Sequence, residues 1–236
     1  MDPTREIYWN VVGGALLYVL AGPAIAGFAW GVLRRVRLWR LGAPARRLDR
    51  IPQRLAGVLA EVFGHRRLLR RSLPALSHLL LFYGFLAQFV ATSLIALQEW
   101  SGLLFLRGPF YLGYSLVSDV FGILAVVGLS LALWRRMVLR PAHLHSFLDD
   151  WVALGLLLVL FLQGFALEGC RIAITELSQQ PALARWSPGG FGFAVLIEDL
   201  GPARLVTLHR FLWWIHAATA FGFIGYMSHG KLGQSA

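Results

Sequence analysis

Residues 72–98, SLPALSHLLLFYGFLAQFVATSLIALQ, decide the fold: 27 residues pass without one Asp, Glu, Lys or Arg. About 20 apolar residues cross the hydrocarbon core of a bilayer as a helix, and there every backbone polar group must bond within the protein. The stretch is therefore a spanning helix over about 73–98. Pro74 sits in its first turn, where amides lack intrahelical partners anyway. Working outward, similar stretches run over about 7–33, 110–134, 149–170 and 205–229, with Pro23 in the first and Asp119 inside the third. The first is too long for a secretory signal and has no cleavage pattern. The expected fold class is all-α, an integral membrane five-helix bundle forming a single domain over 1–236. Composition agrees: 57% of 236 residues are hydrophobic and 14% charged, with a mean hydropathy of +0.62, which excludes an ordinary water-soluble enzyme.

Charge sets the orientation. Of 22 Lys and Arg, twelve lie between the first two spans, Arg34 to Arg71, and alternate connections carry sixteen against six. The richer side is expected to be cytoplasmic, with the N-terminus outside, the C-terminus inside and the chain multi-pass in the cell's inner (cytoplasmic) membrane. The net charge of +10 thus reflects lipid topology, and no nucleic acid partner is expected. The single cysteine, Cys170, allows no internal disulfide and no four-cysteine cluster, so iron–sulfur chemistry must belong to a partner. Within the basic connection, Leu55, Val58, Leu59, Val62 and Phe63 recur at helical spacing, so about 52–69 reads as an amphipathic interface helix that meets lipid headgroups or an acidic partner. The outer loop 172–204 holds an apolar run, residues 186–197, too short to cross; it caps a site or dips into headgroups.

Ionisable groups at membrane depth are costly, so the seven histidines are sorted by depth. His143 and His145 lie in a connection, and His65 lies among Arg66, Arg67, Arg70 and Arg71; a solvated face is the expectation for all three. His78 stands inside the second span, His216 near the middle of the fifth, His209 at its outer end and His229 at its inner end. In antiparallel helices, residues at equal depth have numbers with a constant sum. His78 and His229 satisfy that near the inner surface, as two axial ligands of one b-type haem would. His78 with His216, or His65 with His229, misses by about ten residues, ~15 Å of helix. His216 is level with Gln88, so a second haem there would have one strong ligand and an open or weak sixth position. Hydrogen bonding between helices is the competing explanation for such histidines. Asp119, Glu99, Glu168 and Arg107 are candidates for quinone hydrogen bonding or proton release, or else interfacial charges.

The order of Phe63-Gly-His-Arg-Arg67, Leu76-Ser-His78, Phe82-Tyr-Gly-Phe85, Leu133-Trp-Arg-Arg136, Arg140-Pro141, Asp149-Asp150, Trp213-Trp-Ile-His216 and Gly230-Lys-Leu232 resembles two related groups. These are the membrane cytochrome b (gamma) subunits of respiratory nitrate reductase and the membrane subunits of heterodisulfide-reductase-like complexes. The resemblance spans nearly the whole chain. It implies five helices, two b haems between the second and fifth, and electron exchange between a quinone or quinol pool and a cytoplasmic iron–sulfur subunit. His78 matches the family's inner-haem ligand and His216 its outer-haem ligand. Gln88 stands where the nitrate reductase branch has a second histidine, and Gln234 falls where the terminal histidine is expected, with His229 as its replacement. The expected function is an electron-transfer subunit of a quinol-linked oxidoreductase, not a complete enzyme alone, holding one or two haem b. The alternative is a haem-free membrane anchor or assembly subunit derived from such a cytochrome. A small-solute transporter is disfavoured because no repeated halves or paired broken helices occur.

Overall fold

A computed structural model of the chain describes residues 4, 6, 8–43, 49–65, 72–142, 144–177 and 179–228. Its elements are helical: α1 (Leu16–Trp39), α2 (Ile51–Val58), α3 (Ser72–Ser101), α4 (Gly108–Trp134), α5 (Leu148–Thr175), α6 (Pro181–Ala184), α7 (Pro188–Ile197) and α8 (Pro202–Met227). One π-helical turn, Leu59–Phe63, continues α2, and another, Arg135–Leu139, continues α4. Among the described residues four helices are long and apolar enough to cross a membrane: Leu16–Trp39, Leu73–Ser101, Gly108–Leu139 and Leu148–Thr175. The chain is a multi-pass membrane protein.

Two boundaries differ from expectation. The first helix begins at Leu16 rather than near residue 7, because Tyr8, Asn10 and Gly13 take positive φ and the segment turns across α8 instead. There the Asn10 amide donates to the Val206 carbonyl at 2.8 Å, and Arg210 donates to Asn10 Oδ1 at 2.7 Å. The fifth expected span, α8, is 26 residues long but does not join the four apolar helices, since Arg204, His209, Arg210 and His216 interrupt it. Its course is nonetheless defined by its neighbours. It runs parallel to α1 from the Asn10 contact to Ser228, whose hydroxyl donates to the Gly27 carbonyl at 3.3 Å. It runs antiparallel to α5, with the Tyr226 hydroxyl donating to Asp149 at the first turn of α5.

The helices α3, α4, α5 and α8 stand in a ring, with α1 outside α8. The core lies between them, where Ala125 and Leu129 of α4 meet Leu157 and Phe161 of α5 and Phe223 of α8. Lipid tails are as apolar as leucine, so close backbone approach through small residues, not expulsion of water, holds such helices together. The α3–α4 side shows it: a Cβ on Gly84 would sit 2.5 Å from Ala125 Cβ, and one on Gly128 would sit 2.8 Å from the Ser77 carbonyl oxygen. The α3–α8 side differs. These two helices are not drawn into close backbone packing and touch through the Phe85 and Phe223 rings, 6.4 Å apart.

The inner amphipathic segment is shorter in α-helix than the expected 52–69, and residues 66–71 lie outside the described ones. Ile51, Leu55, Val58, Leu59 and Val62 are all exposed, as a helix lying on lipid requires. The outer loop is largely helical, with α7 packed on α5 and α4.

Gly128→Val places two methyl groups against the Ser77 backbone, which cannot swing aside, and is expected to cost about 1–3 kcal/mol. Thermal unfolding of the purified protein in detergent, followed by circular dichroism, checks this; Gly113→Val, where a Cβ meets nothing, should leave the transition in place.

Candidate functional site

The α3–α8 side of the ring carries the two histidines expected at membrane depth. His78 lies in the second turn of α3 and is exposed. Its ring stacks on Phe82 at 6.2 Å, and its nitrogens make no hydrogen bond to other described residues. On α8, His216 is two helical turns before Phe223 and on the same stripe. Its Cε1 lies 4.0 Å from where a Cβ on Gly164 of α5 would stand, so a glycine makes its room. His216 Nδ1 is buried without a hydrogen-bond partner. An unserved buried nitrogen normally costs stability, and imidazole at such a place is the usual form of a metal ligand.

Gln88 turns elsewhere. It sits on the face of α3 that packs on α4, and its amide donates to the Ser118 carbonyl at 2.6 Å. The depth relation with His216 holds to about a turn: Gln88 Nε2 and Phe165 both border Gly122, and Phe165 neighbours Gly164. Gln88 is thus turned toward α4 and not aimed at α8. Phe85 opposite Phe223 sets the antiparallel register. His229 and Gln234 themselves lie outside the described residues, as does His143. His145 is exposed, in line with a solvated loop histidine.

His65 corrects the sequence reading. Expected on a solvated face, it is only 6% exposed. The π turn Leu59–Phe63 and the Gly64 bend fold it back onto α3, where its ring meets His78 at 5.2 Å and Phe82 at 4.7 Å. The Phe63 carbonyl accepts from His65 Nδ1 at 3.1 Å and from the Tyr83 hydroxyl, tying the turn to α3. The surrounding arginines masked this position; the Gly64-His65 pair after an apolar run was the available signal.

The acidic candidates separate into structural roles. Asp119, 7% exposed, accepts from the Gly189 amide (2.5 Å) and the Gly190 amide (3.2 Å) in the first turn of α7, where the helix dipole favours a carboxylate. Glu168 pairs with Arg171 at 2.7 Å, and Arg171 reaches Glu176 at 2.5 Å. Ser187, beside them, bonds Ser115 of α4 at 2.6 Å. Together these contacts seat α7 on the bundle. A Cβ on Gly190 would strike Glu168, and one on Gly189 would strike Phe165. Glu99 stands in the last turn of α3, and Arg107 caps the start of α4.

Among the described residues no three His, Cys, Asp or Glu side chains gather as ligands for a bare metal ion. The donors present are single imidazoles at two levels of a loosely packed helix pair, lined by Phe82, Phe85 and Phe223. That set suits the axial ligation and flat apolar faces a haem needs.

The fold and site define a polytopic helical membrane protein with histidines at two depths of one helix pair. Comparison with known proteins gives six relatives, three of which illustrate the range. The chain is 32% identical, over 98% of its length, to the EtfAB:quinone oxidoreductase of Syntrophomonas wolfei, covering 33% of that protein. It is 25% identical, over 94% of its length, to the probable iron-sulfur-binding oxidoreductase FadF of Bacillus subtilis, covering 31% of it. It is 26% identical, over 54% of its length, to one subunit of the dihydromethanophenazine:CoB–CoM heterodisulfide reductase of Methanosarcina thermophila, covering 51% of that subunit. The chain therefore spans about a third of the first two and half of the third. No family model matches, and no solved structure matches. The heterodisulfide reductase side of the expected resemblance is represented among these relatives; the likeness to nitrate reductase gamma subunits stays an expectation.

Asp119→Ala leaves two first-turn amides of α7 without their acceptor, with an expected loss of about 1–3 kcal/mol of local stability. Hydrogen exchange should report it as faster exchange in residues 188–197, with α3 and α4 unaffected.

Proposed function

We propose that this chain is the membrane electron-transfer part of a quinone-linked oxidoreductase, holding b-type haem between α3 and α8 and exchanging electrons with an iron–sulfur partner on the cytoplasmic side. The observation that carries the reading is the pair of membrane-depth imidazoles, His78 and His216, on the one side of the helix ring that lacks close backbone packing. In support, a relative matched over nearly the whole chain is named for quinone oxidoreduction, another for iron–sulfur binding, and a third is part of a heterodisulfide reductase.

Haem, when bound, supplies one-electron redox chemistry at a level inside the bilayer. The chain's own residues do the rest. His78, with His229 just past the described end of α8, would hold the inner group, and His216 would hold an outer one, to which Gln88, committed to Ser118, would contribute nothing. Phe82, Phe85 and Phe223 exclude water. His78 and Gln88 are ten residues apart, ~15 Å of helix rise, so the two levels lie toward opposite leaflets. The basic inner connection, Arg34 to Arg71, faces the iron–sulfur partner, and α2 rests in the headgroups beside it. We take α8 as the fifth crossing because it runs alongside α1 and α5 over their length, which puts the N-terminus outside and the C-terminus in the cytoplasm of a cell's inner membrane.

Purified protein should show a reduced-minus-oxidised b-type spectrum with one or two haems per chain. His78→Ala should remove the inner low-spin signal and leave the outer one; His216→Ala should do the converse. Absence of haem absorbance would sink this reading and leave a haem-free anchor or assembly subunit. Orientation has its own check: a fluorescent protein fused to the C-terminus should light up, and an alkaline phosphatase fused there should stay inactive. The reverse pattern would mean that α8 does not cross.

A further inference from the structure

The buried, strained histidine beside His78 has no role in the function proposed above. His65 has φ +48°, a left-handed conformation that side-chain-bearing residues adopt rarely and at an energetic cost. It is nevertheless packed away from water at the end of a basic, exposed segment. Three contacts hold it there. Its Nδ1 donates to the Phe63 carbonyl, which leaves Nε2 as the nitrogen with the lone pair. The same carbonyl accepts the Tyr83 hydroxyl, one turn beyond His78, so the turn cannot drift along α3. Its ring meets His78 and Phe82 edge-on, at interplanar angles of 61° and 72°.

The spacing decides what His65 can do. Two imidazoles binding one iron from opposite sides, through metal–nitrogen bonds of about 2 Å, put their ring centres about 6 Å apart. At 5.2 Å the two ring centres are closer than that, so His65 and His78 do not share one iron. The His65 ring bears on His78 from the side. Outer-shell partners that fix a ligand's ring orientation tune the bound metal as strongly as many direct ligands do.

We propose that His65 is a positioning residue of the inner site: its ring, clamped by the Phe63 carbonyl, fixes the plane of the His78 imidazole. This rests on the reading of His78 as a haem ligand. The test compares wild type, H65A and H65F in detergent by electron paramagnetic resonance and redox titration. In H65A the low-spin signal assigned to the His78 haem should shift in gmax, with a shifted midpoint potential. H65F refills the edge-on contact and should return gmax toward wild type. A signal unchanged in H65A, or altered alike in H65A and H65F, overturns the proposal. If the wild type carries no haem, the cytochrome reading fails separately, and reaction of His78 with diethyl pyrocarbonate, read by mass spectrometry, judges His65. Severalfold faster modification in H65A than in H65F supports the clamp; equal rates overturn it.

Discussion

A polar group at bilayer depth must find its partner inside the protein, because hydrocarbon offers none. The packing of α7 against α4 and α5 is organised around that constraint. Asp119 is served by the first-turn amides of α7, Gln88 by the carbonyl of Ser118, and Arg171 by Glu168 and Glu176. Each pairing joins or braces neighbouring elements. The short α7, too brief to cross, is fastened at its N-terminus to a carboxylate of α4, and Gly169 and Gly190 let it lie against α5. Breaking one partner of such a buried set leaves an uncompensated polar group, which is far costlier than losing a surface pair.

Against that background the two membrane-depth histidines stand apart. His216 Nδ1 is buried without a hydrogen-bond partner, and the His78 ring meets the rings of His65 and Phe82. Both lie where α3 and α8 approach loosely, although α3 and α4 come together as tightly as glycines permit. Packing that is close on one flank and open on the next is a property of this helix set, and it is the physical ground for placing a flat prosthetic group there.

Much was legible from residue order. The apolar lengths located α3, α4 and α5 within a few residues. Periodicity failed where local geometry overrides it. The start of α1 was misplaced because Tyr8, Asn10 and Gly13 bend the chain toward Val206 and Arg210, nearly two hundred residues away. His65 was judged by its arginine neighbours, although a π turn and a carbonyl shared with Tyr83 carry it into the bundle.

The amino-acid order by itself determined that this chain lives in a bilayer, because the transfer free energy of long uncharged segments is a local, additive property of composition. It also marked His78, Gln88 and His216 by depth, since helix rise is constant. Only the tertiary structure decided which way those side chains turn: Gln88 to α4, His216 toward α5 and the interior, His65 onto His78. Rotation about a helix axis is set by which small residues allow a neighbour close and which distant carbonyl is left to accept a hydrogen bond, and neither is written in any one segment.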